Sequence, residues 1–338
     1  MFDVVTVPDF SGESARRFEL MTLFFLASWI EYGGESNNLP LHIAAIGEAP
    51  ESVRILAGRC GAEITTHLPM HFGGFANKLR GFEVNRCTDH ILLIDSDVFL
   101  ISDITNLPLS LGEHCISASI ANGCPIRVDE WLQIFRALDI PVPKEGPPPL
   151  NDALDTFRAN PNSCPPFLPY YNAGILFAPW TCELNNVWSR HIEKIMQIKI
   201  PFIGPKMNVS NQPAFATAVA ELQNDGLNFQ LLPDEYHVRW QHLTTTTVRL
   251  KNTKLLHAVG FCRQEVDPLK CTAIEAVDKY CQVMLRLTHK VHFHRVERLN
   301  RFRQILYFLR QSASRRDVRK LHARMKLLCA KYVNELIA

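Results

Sequence analysis

Apolar positions along the first two thirds of the chain come in two alternating styles. Asp3–Val7, Pro40–Ile46 and Glu63–His67 carry short apolar or β-branched runs of strand length, whereas Arg16–Tyr32 and Glu51–Cys60 spread their apolar positions at helical spacing. A short helix is predicted around Ala76–Val84, followed by His90-Ile-Leu-Leu-Ile-Asp95, whose unbroken apolar run fits a strand buried on both faces. Cys115–Ala121 and Tyr171–Ala178 read as further central strands, and Glu183–Ile198 and Gln212–Leu222 as helices. This alternation predicts an α/β fold on a parallel sheet. In such sheets ligands sit outside the carboxyl ends of the strands, so the acids that stop the run at Asp95 are placed for chemistry.

Two segments break the alternation. From Pro141-Val-Pro143 through Pro147-Pro-Pro149 to Pro166, Pro, Asn and Asp dominate, which predicts a long irregular segment, either a lid or binding loop or a disordered insertion. From Asp267 onward the pattern is nearly all helical. Leu299, Phe302, Ile305, Leu306 and Leu309 recur at three- and four-residue spacing, and so do Val318, Leu321, Met325, Leu328, Tyr332 and Leu336. Charge divides at the same place: from Lys279 onward 15 Lys and Arg face only Glu297, Asp317 and Glu335, a net +12 in a chain whose total is +2. The preceding part is therefore acidic, and the tail is built to meet something anionic.

At 338 residues, 47% of them hydrophobic, the chain can bury a full core. Leu20–Ile30 is too short to span a bilayer, and the charges Glu13, Arg16, Arg17 and Glu19 before it are not laid out as a secretory signal, so a cytoplasmic protein is expected. The ten cysteines are scattered, without a Cys-x-x-Cys spacing, which predicts buried thiols rather than disulfides or a zinc cluster. The sequon at Asn208-Val-Ser210 matters only if the protein is exported.

Asp95 and Asp97, at i and i+2 just beyond a buried strand, cannot both point into the core. Held together near a cleft they repel unless a cation neutralises them, and a hard divalent ion with open coordination positions is what a diphosphate leaving group needs. Taken alone, Asp-x-Asp also suits a surface turn.

Motifs in order along the chain resemble glycosyltransferase family 8, the glycogenin-like group. Asn77-Lys-Leu-Arg80 precedes the strand His90–Asp95, Asp95-Ser-Asp97 ends it, Tyr170-Tyr-Asn-Ala-Gly-Ile-Leu-Phe177 looks like the family's Asn-Ala-Gly strand, and Asn211-Gln212 stands where it has Asp-Gln. His257-Ala-Val-Gly260-Phe-Cys-Arg263 resembles its His-x-x-Gly-x-x-Lys motif. The resemblance covers roughly residues 1 to 265. It implies a GT-A nucleotide-sugar transferase domain over 1–265, with 266–338 as a basic helical C-terminal extension, and a retaining transfer of a hexose from a UDP-sugar to a saccharide, lipid-linked or protein hydroxyl.

Carried across by position, the resemblance implies that Asp95, Asp97 and His257 bind Mn²⁺ or Mg²⁺, the imidazole favouring manganese. Asp95, Ser96, Lys78, Gly260 and Arg263 would contact the donor, Asn172, Ala173 and Gly174 would line the sugar pocket, and Gln212 with Asn211 would lie near the reacting carbon. Val7 and Asp9 match positions that touch the base, although Asp9 also suits a cap for the following helix. Two departures stand out: Arg263 replaces lysine and is followed by Gln264-Glu265 rather than Pro-Trp, and Asn211 replaces aspartate.

The Arg-rich tail, with Phe302, Tyr307 and Phe308 near one apolar face, suits either an anionic membrane surface, at the inner face of a membrane, or a helical pair packed on the body. A different class of reading is a non-catalytic protein of the same fold that binds membrane or nucleic acid through this tail. A nucleotidyltransferase would also use paired acids, but no Gly-rich basic loop lies between Asp3 and Arg17.

Overall fold

The structure, a computed structural model, describes residues 1–111, 115–121, 126, 128–143, 170–198, 211–239 and 253–257. The C-terminal extension, Gly260, Arg263, the sequon and most of the Pro-rich segment lie outside the described residues.

The alternation read from the sequence is present: β1 (Asp3–Thr6), α1 (Ala15–Tyr32), β2 (Leu41–Ile46), α2 (Glu51–Arg59), β3 (Glu63–His67), β4 (His90–Ile94), β5 (Val98–Leu100), β6 (Cys115–Ile120), α3 (Val128–Leu138), β7 (Tyr171–Pro179), α4 (Leu184–Gln197), α5 (Asn211–Asn224), β8 (Asn228–Leu231), β9 (Val238–Arg239) and β10 (Leu255–His257). A seven-stranded sheet has the order β3-β2-β1-β4-β7-β6-β8, and a three-stranded sheet the order β5-β10-β9. β1 is parallel to β4 and β6 to β8, whereas β7 runs antiparallel to both of its neighbours. The sheet is thus mostly parallel and helix-flanked, the α/β arrangement expected of the GT-A class.

Burial follows position in the sheet. Ile91–Ile94, all of β6 and all of β7 are buried, which is why each reads as an uninterrupted apolar run. β3 and β8, at the two ends of the order, are partly exposed.

The chain divides into two compact units. One comprises Met1–Val7, His67–Ile94 and Leu107–Pro233; the other comprises Pro8–Thr66, Asp95–Asn106 and the described residues from Asp234 onward. In the first, α4 packs on α5 through Trp188 against Phe215, ring centres 4.8 Å apart, and Phe215 also meets Tyr171 of β7. Asp3, fully buried at the start of β1, accepts hydrogen bonds from the backbone N–H of Cys87 and of Thr88, from the Thr88 hydroxyl and from the Trp180 indole N–H. One carboxylate thereby ties β1 to the residues that lead into β4 and out of β7.

The short helix predicted around Ala76–Val84 is present as a 3-10 helix over Gly74–Glu83. It opens after Gly73, whose φ of 98° suits glycine, and a Cβ on Gly81 would lie 2.5 Å from Leu93 and 3.1 Å from Val7. Close approach to β4 and to the end of β1 fixes this segment.

In the second unit α1 is buried continuously from Glu19 to Trp29 and packs on α2 and β5. It starts at Ala15 after Ser14, and the Asp9 carboxylate bonds the backbone N–H and hydroxyl of Ser11 instead. The capping role considered for Asp9 is therefore not taken up: the residues between it and Ala15 make a local turn. No disulfide links Cys60, Cys87, Cys115 and Cys182, and among the described residues no helix is long and apolar enough to cross a membrane.

Replacing Asp3 by alanine removes several part-buried hydrogen bonds at once. Asp3→Ala is expected to cost about 2–4 kcal/mol in urea unfolding, since hydrogen bonds to a charged group contribute about 1.5–3 kcal/mol each. A loss below about 0.5 kcal/mol, the range of ordinary surface changes, would contradict this role.

Candidate active site

The second unit holds the acids. After β4 the chain closes a tight turn, with the Val98 N–H bonded to the Asp95 carbonyl at 3.0 Å, so that Asp95 and Asp97 flank Ser96 instead of continuing an extended strand. Ser96 is buried, while both carboxylates are half-buried. β5 then begins and pairs antiparallel with β10 in a register that sets Val98 opposite His257. That register carries His257 to the residue just after the turn, next to Asp97.

β5 itself is fixed from its other side. Phe24 of α1 meets Phe99 edge to face at 5.8 Å, and the Ser28 hydroxyl accepts the Leu100 N–H at 3.0 Å while donating to the Phe25 carbonyl. Downstream, Asp103 accepts from the buried Ser36 hydroxyl and from Thr105. Burial pushes the Asp103 carboxyl up, but these bonds and the Lys254 charge outweigh it and hold the group below its usual range.

Ligand atoms of Asp95, Asp97 and His257 lie within 4.8 Å of one another. His257 Nε2 is 3.2 Å from Asp97 Oδ1 and 3.9 Å from Asp95 Oδ2, separations that donors with bonds of about 2.1 Å adopt around one ion. The other ring nitrogen, Nδ1, is engaged by His237 Nε2 at 2.8 Å, so Nε2 is the atom presented to the carboxylates. With its ring proton on Nδ1, a neutral His257 offers a lone pair there; with the proton on Nε2 it offers an N–H to Asp97. Two oxygens and one imidazole nitrogen make a donor set that fits Mn²⁺ or Mg²⁺.

The first unit holds a second constellation. The pairing of β6 with β7 slips between Ala118, opposite Leu176, and Ser119, opposite Asn172, leaving Ala173–Ile175 bulged from that ladder. At the bulge Asn172 Oδ1 accepts the Gly174 N–H at 2.7 Å, and the Ala173 carbonyl accepts a hydrogen bond from Lys78 Nζ at 2.6 Å. Lys78 is therefore directed at β7. Val7 packs near Gly81 in the same unit.

Asn211 opens α5. It is buried, its carbonyl accepts the Trp188 indole N–H, and its side-chain Oδ1 has no hydrogen-bond partner among the described residues. A buried amide oxygen left in this way is costly without a donor, and a ligand hydroxyl would supply one. Gln212 beside it is half-buried.

His237 was not anticipated. It precedes β9, which is parallel to β10 with Val238 opposite Leu256. The only sequence signal is a histidine ahead of a two-residue strand.

Residues 14–223, well over half of the chain, match the Rhodobacterales glycosyltransferase domain, and the chain belongs to that family. The match takes in Lys78, Asp95, Asp97, Asn172 and Asn211, while His237 and His257 follow it. Among solved structures, the chain is similar to the galactosyltransferase LgtC in complex with donor and acceptor sugar analogs, at 13% identity over 88% of this chain and 98% of that one, with a TM-score of 0.49. Mouse xyloside xylosyltransferase 1 in its apo form aligns at 12% identity over 78% and 99%, TM-score 0.46. The glycosyltransferase GlyE in Streptococcus pneumoniae TIGR4 aligns at 14% over 77% and 55%, TM-score 0.42. No curated protein matches the chain.

Because Ser28 anchors the strand that carries Asp97, its loss should be felt in stability. Ser28→Ala leaves the buried Leu100 N–H without its acceptor and is expected to cost about 1–3 kcal/mol by chemical denaturation; an unchanged midpoint would show that β5 is held by packing alone.

Proposed function

We propose that the chain transfers a hexose from a UDP-sugar to a hydroxyl acceptor, on a saccharide, a lipid-linked glycan or a protein, in a metal-dependent and retaining reaction. The observation that carries the reading is the convergence of Asp95, Asp97 and His257 in a chain of a glycosyltransferase family. Repelling carboxylates are uneconomical unless a cation is to be held, and the metal-free uses of such a fold need no such convergence. Bound there, Mn²⁺ or Mg²⁺ would neutralise charge on the diphosphate leaving group.

The chain's own residues have separable tasks in this reading. Asp95 and Asp97 supply oxygens and His257 a nitrogen; Ser96 sets the turn between the acids and contacts the donor. Lys78 places an ammonium beside the β7 bulge, where it meets donor sugar or phosphate. Asn172, Ala173 and Gly174 shape the sugar site, the bulge leaving small residues and backbone outside the β6 ladder where a hexose needs room and hydrogen bonds. The orphan Oδ1 of Asn211 accepts a sugar hydroxyl, and Gln212 lies one residue on, near the reacting carbon. Val7 and Asp9 serve the base, while Gly260 and Arg263 serve the diphosphate from a segment that follows β10. The domain spans 1–265, with 266–338 as the basic extension.

The test is UDP release from a panel of UDP-sugars with and without Mn²⁺. One donor is expected to turn over in a manganese-dependent way, and Asp97→Ala, matched for folding by circular dichroism, should lose at least about a hundredfold, the scale of removing one charge-stabilising group. Lys78→Ala should lower kcat/KM by about ten- to a hundredfold, since a hydrogen bond to a charged group contributes about 1.5–3 kcal/mol. Absence of any Mn²⁺ or UDP binding by calorimetry would overturn the proposal.

A further inference from the structure

We infer that His237 is a positioning residue for the cation site, selecting the tautomer and ring orientation in which His257 can act as a ligand. The inference rests on the metal reading of Asp95, Asp97 and His257 and concerns what prepares that site.

Proton accounting carries the argument. His237 Nε2 and His257 Nδ1 are 2.8 Å apart, so one proton lies between them. If it belongs to His257, then Nδ1–H donates to His237, and in the neutral ring His257 Nε2 is a lone pair facing Asp95 and Asp97. If it belongs to His237, then His257 Nδ1 accepts, Nε2 of the neutral ring carries the other proton, and that N–H points at Asp97 Oδ1, 3.2 Å away. Only the first arrangement leaves a nitrogen donor for a cation. The direction of this single hydrogen bond therefore separates a ligand-ready site from one closed on itself, and His237 must be the acceptor in the ligand-ready form.

The surroundings hold His237 to that task. Both rings are buried, with centres 5.0 Å apart and planes inclined by 27°. The backbone on either side is pinned: the His237 N–H bonds the Asp234 carbonyl at 3.3 Å, the Lys254 N–H bonds the Glu235 carbonyl at 2.7 Å, and β9 pairs with β10 immediately afterwards. A side chain on such a support cannot follow His257 if that ring rotates, so the bond fixes the ring plane as well as the tautomer.

Because the effect acts through nitrogen ligation, it should be larger for a cation that favours imidazole than for one that favours only oxygen. This distinguishes positioning from a general loss of packing. Glutamine and methionine have similar length and volume, and of the two only glutamine can accept a hydrogen bond at the place of His237 Nε2.

The experiment is calorimetric titration of Mn²⁺, and separately Mg²⁺, into the full chain in the presence of UDP, for the wild type, His237→Met, His237→Gln, His237→Phe and Asp97→Ala. His237→Met should bind Mn²⁺ about ten- to a hundredfold more weakly, the usual cost of losing a partner behind a metal-ligating histidine. Mg²⁺ binding should change less, and His237→Gln should recover most of the Mn²⁺ affinity. His237→Phe keeps a ring without the acceptor and is expected to follow methionine, which preserves the comparison if His237→Met does not fold. Equal affinities in wild type and His237→Met would overturn the inference, as would equal losses in the methionine and glutamine variants or equal losses for the two ions. If wild type and Asp97→Ala bind Mn²⁺ alike, the cation reading itself fails and the inference falls with it.

Discussion

Repulsion between Asp95 and Asp97 is the constraint on which the functional part of the molecule turns. β4 is buried along Ile91–Ile94 and delivers the chain to a turn closed by the Val98 N–H, which leaves two carboxylates on either side of a buried serine. The register of β5 against β10 then brings His257 to the same place, and two oxygens and one nitrogen come within 4.8 Å. A donor set of this kind is stabilised when a cation shares it.

The candidate site is held by side chains and backbone bonds around it. Ser28 and Phe24 of α1 hold β5, Glu235 and Lys254 tie the segment before β9 to the segment before β10, and His237 holds one nitrogen of His257. In the other unit the same logic recurs with different parts. A bulge takes Ala173 and Gly174 of β7 out of the β6 ladder, and Lys78 reaches it from a 3-10 run whose glycine lets it lie against Leu93. Each unit thus presents one group of polar atoms, Asp95, Asp97 and His257 in one and Lys78, Asn172 and the β7 bulge in the other.

Much of this was readable in the sequence for a definite reason. Strands buried on both faces, such as β4 and β7, have nowhere to put a polar side chain, so they announce themselves as apolar runs, and the acid that ends one of them stands out. Asp95, Asp97, Asn172 and Asn211 were found in that way or through the family resemblance. Short pieces were not legible: β5, β8, β9 and β10 have two to four residues each, too few to show any period. His237 stayed hidden with them, because its partner is set by strand register and not by spacing along the chain. The short helix before β4 was legible, but not that it would be 3-10, because the contact of Gly81 with Leu93 is not local, and Asp9 bonds Ser11 instead of capping α1.

Pulsed electron paramagnetic resonance of Mn²⁺ bound to the full chain with UDP tests the central claim most directly, because it reports the atoms around the ion without requiring turnover. One imidazole nitrogen coupled to the manganese, lost in His257→Ala, together with phosphorus coupling from the nucleotide, is the expected spectrum. Bound manganese with no nitrogen coupling, or with a coupling that survives His257→Ala, would place the ion elsewhere and contradict a cation site built from Asp95, Asp97 and His257.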